Sequence, residues 1–242
     1  MQFRKAILVI HGFSGSTYDQ EYLRNYLEFY HKFDCFSFTL PAHHQMILNH
    51  VKYQDWIDAV EKQMEFILKN GYRTVYVIGH SMGGVLASYL ASKYKQIKKL
   101  VLVAPAFDSF SKEQYLSDLR NLKNIKNEED VAYRYLFSKI IRVPAKSLLE
   151  FRKLVEELRP SLAQVSCDTL VLHGNQDEVV PYHTVSYVEE QLRFHCKRLH
   201  ITTVIEGRHN MLRGKKKEKL AEYINIYLIG GRKWKQMKKQ EL

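Results

Sequence analysis

The chain has 242 residues, enough for one large α/β domain or two small ones, with 45% hydrophobic and 26% charged residues, as in ordinary soluble proteins. Its three cysteines are sparse and lack metal-site spacing, which argues against a disulfide framework or a cysteine-ligated zinc site and favours a reducing compartment. The five-residue apolar run before His11 is too short for a signal peptide, and no run approaches the ~18 residues that span a bilayer, so we expect a cytoplasmic protein.

The net charge of +11 is concentrated at the C-terminal end. Residues 208–242 hold eleven Lys and Arg against three Glu, which accounts for +8 of the total. Such a segment attracts anionic partners, but no nucleic-acid-binding motif accompanies it, and we expect no nucleic acid partner. We favour a solvated helix face followed by a frayed basic tail, 230–242, with weak contact to an anionic membrane surface as the alternative.

Apolar runs typical of buried strands alternate with amphipathic helical patterns along the first 106 residues. The predicted strands are 5–10, 35–40, 74–78 and 99–104, and the predicted helices are 18–30, 55–70 (closed by Gly71) and the run after Gly84. This alternation predicts parallel strands joined by helical crossovers. We therefore expect an α/β fold with a mostly parallel sheet of about six strands and helices on both faces.

The alternation of strand and helix patterns stops between residues 107 and 162, where no strand pattern is present. Ser147 and Glu150 have the spacing of a capping box, which predicts a helix that ends before Pro160. A helical insertion of about 55 residues between sheet strands indicates a cap, or lid, over the site. A crossover elaborated for stability is the alternative.

The strand pattern returns in the second half of the chain. We predict strands at 168–173 and 198–205, a helix ending near 194 and a last helix at 215–229. Residues 1–106 and 163–229 thus form one core domain interrupted by the cap. We find no internal repeat and no second independent domain.

The segment that organises the chain is Gly-His-Ser-Met-Gly, residues 79–83, placed between a buried strand and a helix-prone run. This G-x-S-x-G pattern is the nucleophile elbow, a strained turn that exposes a serine hydroxyl above a sheet. The glycines have a steric reason, since side chains at 79 and 83 would clash with neighbouring backbone in so tight a turn. The pattern predicts Ser81 as a nucleophile.

A serine hydroxyl needs a base within hydrogen-bond reach, and the base needs an orienting acid. Esterases with this elbow carry these groups in the order Ser, then Asp or Glu, then His, an order that Ser81, Asp177 and His209 obey. Each of the three follows a predicted strand, so all should meet at one end of the sheet. The oxyanion donors would be the backbone N–H groups of Met82 and Phe13.

Other polar residues near these motifs offer alternatives. Asp108, just after a predicted strand, is a rival acid. His11 and His80 flank the predicted site, where we expect packing or hydrogen bonding from them rather than proton transfer. His43 and His44 lack a carboxylate or cysteine at ligand spacing, so we expect loop histidines near the pocket mouth and no metal site.

Four motifs together resemble the α/β-hydrolase superfamily, and within it small bacterial carboxylesterases and monoacylglycerol lipase-like members. They are His11-Gly12-Phe13, Gly79-His80-Ser81-Met82-Gly83-Gly84, His173-Gly174 with Asp177 and Val180-Pro181, and Gly207 with His209. The resemblance implies Ser81 as nucleophile, Asp177 as orienting acid and His209 as base. It also implies Phe13 and Met82 as oxyanion donors.

The resemblance covers nearly the whole chain except the basic tail, and it implies that 107–162 is the cap. Two departures stand out. The pattern begins at what would be the family's third strand, so we expect its leading antiparallel hairpin to be missing or much reduced. After Pro41 the family usually has Gly-His-Gly, whereas this chain has Ala42-His43-His44.

The sequence therefore predicts a serine hydrolase that cleaves carboxylic esters with an apolar short- to medium-chain acyl group, or monoglycerides, through an acyl-enzyme and without a metal or organic cofactor. A thioesterase, lysophospholipase, peptidase, carbon–carbon hydrolase or acyltransferase could use the same triad. Dehalogenases and epoxide hydrolases are disfavoured, because their elbow carries Asp in place of Ser81. A non-catalytic scaffold with this fold is the alternative from another class.

Overall fold

Six parallel strands form one sheet in the computed structural model, which describes residues 5–31, 33–43, 51–107, 144–237 and 242. The strands are β1 (Ala6–Ile10), β2 (Asp34–Ser37), β3 (Val75–His80), β4 (Ile97–Val103), β5 (Asp168–Gly174) and β6 (Leu199–Val204). They lie in the order β2-β1-β3-β4-β5-β6, so the chain reverses its direction of winding beside β1. Ligands of such sheets bind beyond the carboxyl ends of the strands near this switch point. The predicted fold class is confirmed.

Seven α-helices lie in the described part of the chain, with short 3-10 helices at Thr17–Gln20 and Arg159–Gln164. The α-helices are α1 (Glu21–His31), α2 (Tyr53–Lys69), α3 (Met82–Lys93), α4 (Ala145–Leu158), α5 (Thr184–Leu192), α6 (Lys217–Ile229) and α7 (Arg232–Met237). Most predicted elements are recovered with small shifts at their ends. The second strand stops at Ser37 rather than 40, and the N–H of Leu40 binds the His11 imidazole instead of a strand neighbour.

The sheet separates two hydrophobic cores, because side chains alternate between its faces along each strand. In β1, Leu8 and Ile10 face the core built with α2 and α3, whereas Ile7 and Val9 face the core built with α1 and α6. All five residues of β1 are fully buried, as expected for a strand covered on both faces. Because each face of the sheet is apolar, helices cover both faces, as the sequence predicts.

Only the C-terminal part of the predicted cap lies among the described residues. Helix α4 begins after Pro144 without a side-chain cap, so the predicted capping box is wrong. Ser147 is already inside the helix, and Glu150 instead accepts the N–H of Tyr53 at 3.1 Å and pairs with Lys153 at 2.8 Å. Residues 108–143 lie outside the described ranges.

Part of the basic tail is folded onto the core. In α7, Trp234 is 8% exposed and contacts the rings of His200, Tyr223 and Tyr227, with centroids 5.0–5.3 Å away. The expectation of a frayed end is therefore wrong for residues 232–237, because burial of one large aromatic ring fixes the segment. None of the described helices has the length and apolar character needed to cross a bilayer.

Candidate active site

Ser81 lies at the turn between β3, which ends at His80, and α3, which begins at Met82. Its backbone has φ 55° and ψ −121°, a conformation that costs a non-glycine residue about 1–3 kcal/mol. Three backbone hydrogen bonds hold it there. The Ser81 N–H donates to Val103 at 2.9 Å, and the Ser81 carbonyl accepts the N–H groups of Gly84 at 2.9 Å and Ala106 at 3.2 Å. The strained strand-to-helix turn that the sequence predicts is present.

The glycines of the elbow are required by close backbone contacts. A Cβ at Gly79 would overlap the carbonyl of Gly83, and one at Gly83 would overlap the carbonyl of Ile10. A Cβ at Gly12 would lie 3.0 Å from the Cβ of Ser81 and 3.2 Å from the Nδ1 of His80. The loop after β1 therefore passes directly against the serine.

Asp177, in the loop after β5, binds the imidazole of His209, in the loop after β6. The Nδ1–H of His209 points at the carboxylate, 3.1 Å from Oδ1 and 3.0 Å from Oδ2. Asp177 also accepts the backbone N–H groups of Val179 at 2.9 Å and Val180 at 2.8 Å, and its side chain is fully buried. With Nδ1 engaged, the Nε2 of His209 is the nitrogen that can accept a proton.

The electrostatics of this pair favour a charged histidine beside a charged aspartate. Burial opposes both charges, yet the positive charge and hydrogen bond of His209 lower the pKa of Asp177 below its ordinary value. Conversely, burial would lower the pKa of His209, but Asp177 and the nearby Glu178 raise it above 6.5. The pair thus stabilises the imidazolium that a general base becomes when it accepts a proton.

The main chain of His209 is bound on both sides by side chains of other segments, the loop after β5 and the end of β3. Its N–H donates to the Glu178 carboxylate at 3.1 Å, and its carbonyl accepts the Nε2–H of His80 at 2.9 Å. The rings of His80 and His209 lie 4.9 Å apart, and His80 directly precedes Ser81. The three predicted residues therefore belong to one cluster of loops.

Three further buried histidines surround this cluster. His11 donates to the carbonyl of Gly12 and accepts the N–H of Leu40, which confirms hydrogen bonding as its role. Burial lowers the pKa of His80 to about 4, so its imidazole is neutral and donates one N–H. His173 lies with Nε2 3.6 Å from the Asp177 carboxylate and 3.0 Å from the carbonyl of Val180, and burial lowers its pKa.

The two predicted oxyanion donors lie in the expected segments. Met82 is the first residue of α3 and is fully buried. Phe13 follows Gly12, and its ring stacks on Phe151 of α4 with centroids 5.0 Å apart and packs edge-on against Trp56 at 5.8 Å. The described end of the predicted cap thus contacts the loop that passes Ser81.

Of the alternatives raised by the sequence, the structure describes His43 but not Asp108 or His44. Asp108 and His44 lie outside the described residues. His43 lies in the loop after β2, as expected, and is buried against His11 and Phe13, with its Nδ1–H donated to the carbonyl of Pro41. Within the described ranges no group of three His, Cys, Asp or Glu side chains has a metal-binding arrangement.

The contact between Glu178 and the His209 N–H has no counterpart among the sequence-based predictions. A second carboxylate beside Asp177 was visible in the chain, but no sequence pattern reports which distant N–H group a carboxylate accepts. Hydrogen bonding by His80 was predicted from the sequence, but its partner, the carbonyl of His209, was not.

Comparison with known proteins identifies similar sequences and a similar fold. The family model for the alpha/beta hydrolase fold matches residues 5–121. A thermostable monoacylglycerol lipase from Bacillus sp. is 27% identical over 191 residues, which cover 72% of this chain and 71% of that protein. A carboxylesterase from Bacillus subtilis is 24% identical over 217 residues, which cover 84% of this chain and 87% of that protein.

A solved structure of a monoacylglycerol lipase from Paleococcus ferrophilus superposes with a TM-score of 0.71 at 16% identity, covering 93% of both chains. At that identity the likeness concerns the fold. The chain therefore has the α/β-hydrolase fold, and its sequence resembles that of a bacterial carboxylesterase and of a bacterial monoacylglycerol lipase.

Proposed function

We propose that the protein is a serine hydrolase of the esterase and lipase type that cleaves carboxylic esters through an acyl-enzyme. The observation that carries the proposal is the strained Ser81 in one loop cluster with the buried Asp177–His209 pair. A serine in such a turn is typical of an activated nucleophile, and an imidazole held by a carboxylate is typical of its base. The similarity to a carboxylesterase and a monoacylglycerol lipase supports the same reaction class.

In the proposed mechanism His209 removes the proton of the Ser81 hydroxyl as the oxygen attacks the ester carbonyl. Asp177 keeps the proton of His209 on Nδ1 and stabilises the imidazolium. The backbone N–H groups of Met82 and Phe13 hold the oxyanion. His209 then protonates the leaving alcohol, and in the second half of the reaction it activates the water that releases the acid.

We infer that the acyl group is apolar and of short to medium length, or that of a monoglyceride. The aromatic rings of Phe13, Trp56 and Phe151 form an apolar cluster beside the loop that passes Ser81. Residues 107–162, as a cap, would extend this apolar wall over the site. Thioesters and lysophospholipids remain alternative substrates, because the same triad would attack either carbonyl.

The reaction class is tested with a fluorophosphonate probe, which reacts with activated serines. The wild type should be labelled and Ser81→Ala should not, while Ser88→Ala, at a buried serine that hydrogen-bonds within α3, should keep its labelling. Folded wild-type protein that resists the probe would favour a non-catalytic scaffold. Ranking p-nitrophenyl esters, thioesters and monoglycerides by kcat/KM then decides the substrate class.

Contact of the tail with anionic membranes stays a proposal, motivated by the exposed Lys233 and Lys235 on α7. Because Trp234 is buried, deletion of the tail would disturb the core and confuse the test. Reversal of the two lysine charges to Glu is the cleaner change. Unchanged binding to phosphatidylglycerol vesicles after the reversal would refute the contact. The cytoplasmic location also stays a prediction, consistent with the free cysteines of the described chain.

A further inference from the structure

The loop that holds His209 is anchored by contacts with the loop that holds Asp177. The carbonyl of Gly207 accepts the N–H of Gln176 at 3.0 Å, and a Cβ on Gly174 would overlap that same carbonyl. Glu206, three residues before His209, has a φ of 54°, so the loop turns sharply as it leaves β6. These contacts place the loop, but none of them reaches His209 itself.

The main chain of His209 is bound by two side chains, one from the loop after β5 and one from the end of β3. The Glu178 carboxylate accepts its N–H at 3.1 Å, and the His80 imidazole donates to its carbonyl at 2.9 Å. Both groups that fix the peptide planes on either side of the His209 Cα are therefore titratable side chains. A small shift of either side chain would rotate the imidazole relative to Ser81. A displacement of about 1 Å can cost roughly 10²-fold in rate.

Glu178 also contributes electrostatically, because its carboxylate is the second one beside His209. Burial and the charge of Asp177 raise the pKa of Glu178, whereas its hydrogen bond to the His209 N–H and the charge of His209 act in the opposite direction. The charge of Glu178 in turn favours the protonated form of His209. Within the described part of the chain, the titratable groups that interact with His209 are Asp177, Glu178, His80 and His173.

We propose that Glu178 is a positioning residue of this hydrolase, which with His80 fixes the main chain of His209 and adds a second negative charge beside its imidazolium. The inference rests on the proposed function, in which His209 is the general base. Glu178 touches neither the serine nor the reacting carbonyl in this role. It acts through His209 alone.

Two substitutions separate the two contributions. Glu178→Gln keeps an oxygen that accepts the His209 N–H but removes the charge, whereas Glu178→Met removes both. Glu190→Gln, at an exposed glutamate of α5, is the matched control. The readouts are kcat and KM for a p-nitrophenyl ester, the pH profile of kcat/KM, and the NMR titration of the His209 imidazole, assigned from the spectrum of His209→Gln.

In Glu178→Gln we expect the His209 titration and the acid limb of kcat/KM to move to lower pH, with less than about a tenfold loss of kcat at the plateau. In Glu178→Met we expect a further loss of about tenfold or more in kcat with little change in KM, since the N–H of His209 also loses its hydrogen-bond acceptor. Glu190→Gln should match the wild type in every readout.

The inference is overturned if Glu178→Gln leaves the His209 titration where it is in the wild type. It is also overturned if the losses in both variants disappear once rates are divided by the fraction of folded protein. This failure is distinct from that of the proposed function, which would appear as wild-type protein without Ser81-dependent probe labelling. If Glu178→Met does not fold, the NMR titration of Glu178→Gln still decides the question.

Discussion

The imidazole of His80, at the end of β3, donates its Nε2–H at 2.9 Å to the main-chain carbonyl of His209, a residue 129 positions further along the chain. His80 is also the residue before Ser81, so one side chain links the segment of the predicted nucleophile to the segment of the predicted base. Because burial lowers the pKa of His80 to about 4, the ring stays neutral and adds no positive charge beside His209.

We predict that His80→Leu lowers kcat about tenfold with little change in KM, because the carbonyl of His209 loses a buried donor. His80→Gln should keep most of the activity, since its side-chain amide can supply an N–H at a similar position. His195→Leu, at an exposed histidine, serves as the control. Steady-state kinetics would contradict the role of His80 if His80→Leu matched the wild type.

The pH dependence of activity follows from the direction of the His209 shift. A general base must be neutral, and Asp177 and Glu178 raise the pKa of His209 despite its burial. We therefore predict that kcat/KM falls with decreasing pH through an acid limb whose midpoint lies above 6.5, the ordinary histidine value. A midpoint below that value, measured with a p-nitrophenyl ester in a constant-ionic-strength buffer, would contradict the prediction.

The pKa shifts of His209 and Asp177 also make stability depend on pH, and for His209 the trend is opposite to that of activity. The raised pKa of His209 stabilises the fold below the ordinary histidine value and stops doing so as pH rises through the folded pKa. The lowered pKa of Asp177 stabilises the fold above 3.8 and stops doing so as pH falls further. The Tm difference between wild type and His209→Gln should therefore be larger at about pH 5 than at about pH 8.5, where activity is higher.

Gly12 controls the distance between the loop after β1 and the serine. We predict that Gly12→Ala lowers kcat by about 10²-fold, because its Cβ would lie 3.0 Å from the Cβ of Ser81 and the serine or the loop must move. Gly214→Ala is the matched control, since its Cβ would meet only ordinary contacts at 3.7 Å. Equal kcat values for the two variants, with equal melting temperatures, would show that the close approach is immaterial.

The folded tail gives a prediction about stability rather than chemistry. Trp234→Ala removes a ring that contacts His200, Tyr223 and Tyr227, and should lower the free energy of unfolding by about 3–5 kcal/mol. Activity per folded molecule should be unchanged, because α7 covers the core opposite to α2 and α3. Lys235→Ala, at an exposed position of the same helix, should change stability by less than about 0.5 kcal/mol in urea unfolding.

Most of the sheet was predictable because buried parallel strands are encoded by short runs of apolar residues. The strands at β1, β3, β4 and β5 agree with the predicted ones within a few residues. Errors arose where tertiary contacts replaced a local rule. The Ser147–Glu150 capping box failed because the Glu150 carboxylate is taken by the N–H of Tyr53 on α2, a contact between residues 97 positions apart.

The sequence by itself determined the strand alternation, the elbow around Ser81 and the chain order of Ser81, Asp177 and His209, because each is encoded by neighbouring residues or by their order. Only the tertiary structure decided that the carboxylate of Asp177 contacts the ring of His209. The same holds for the main chain of His209, whose N–H donates to Glu178 and whose carbonyl accepts the N–H of His80. Likewise, it was the packing of Trp234 that made part of a basic tail a piece of the core. Local patterns report periodicity and turn chemistry, whereas hydrogen-bond partners between distant loops are set by how the strand ends come together.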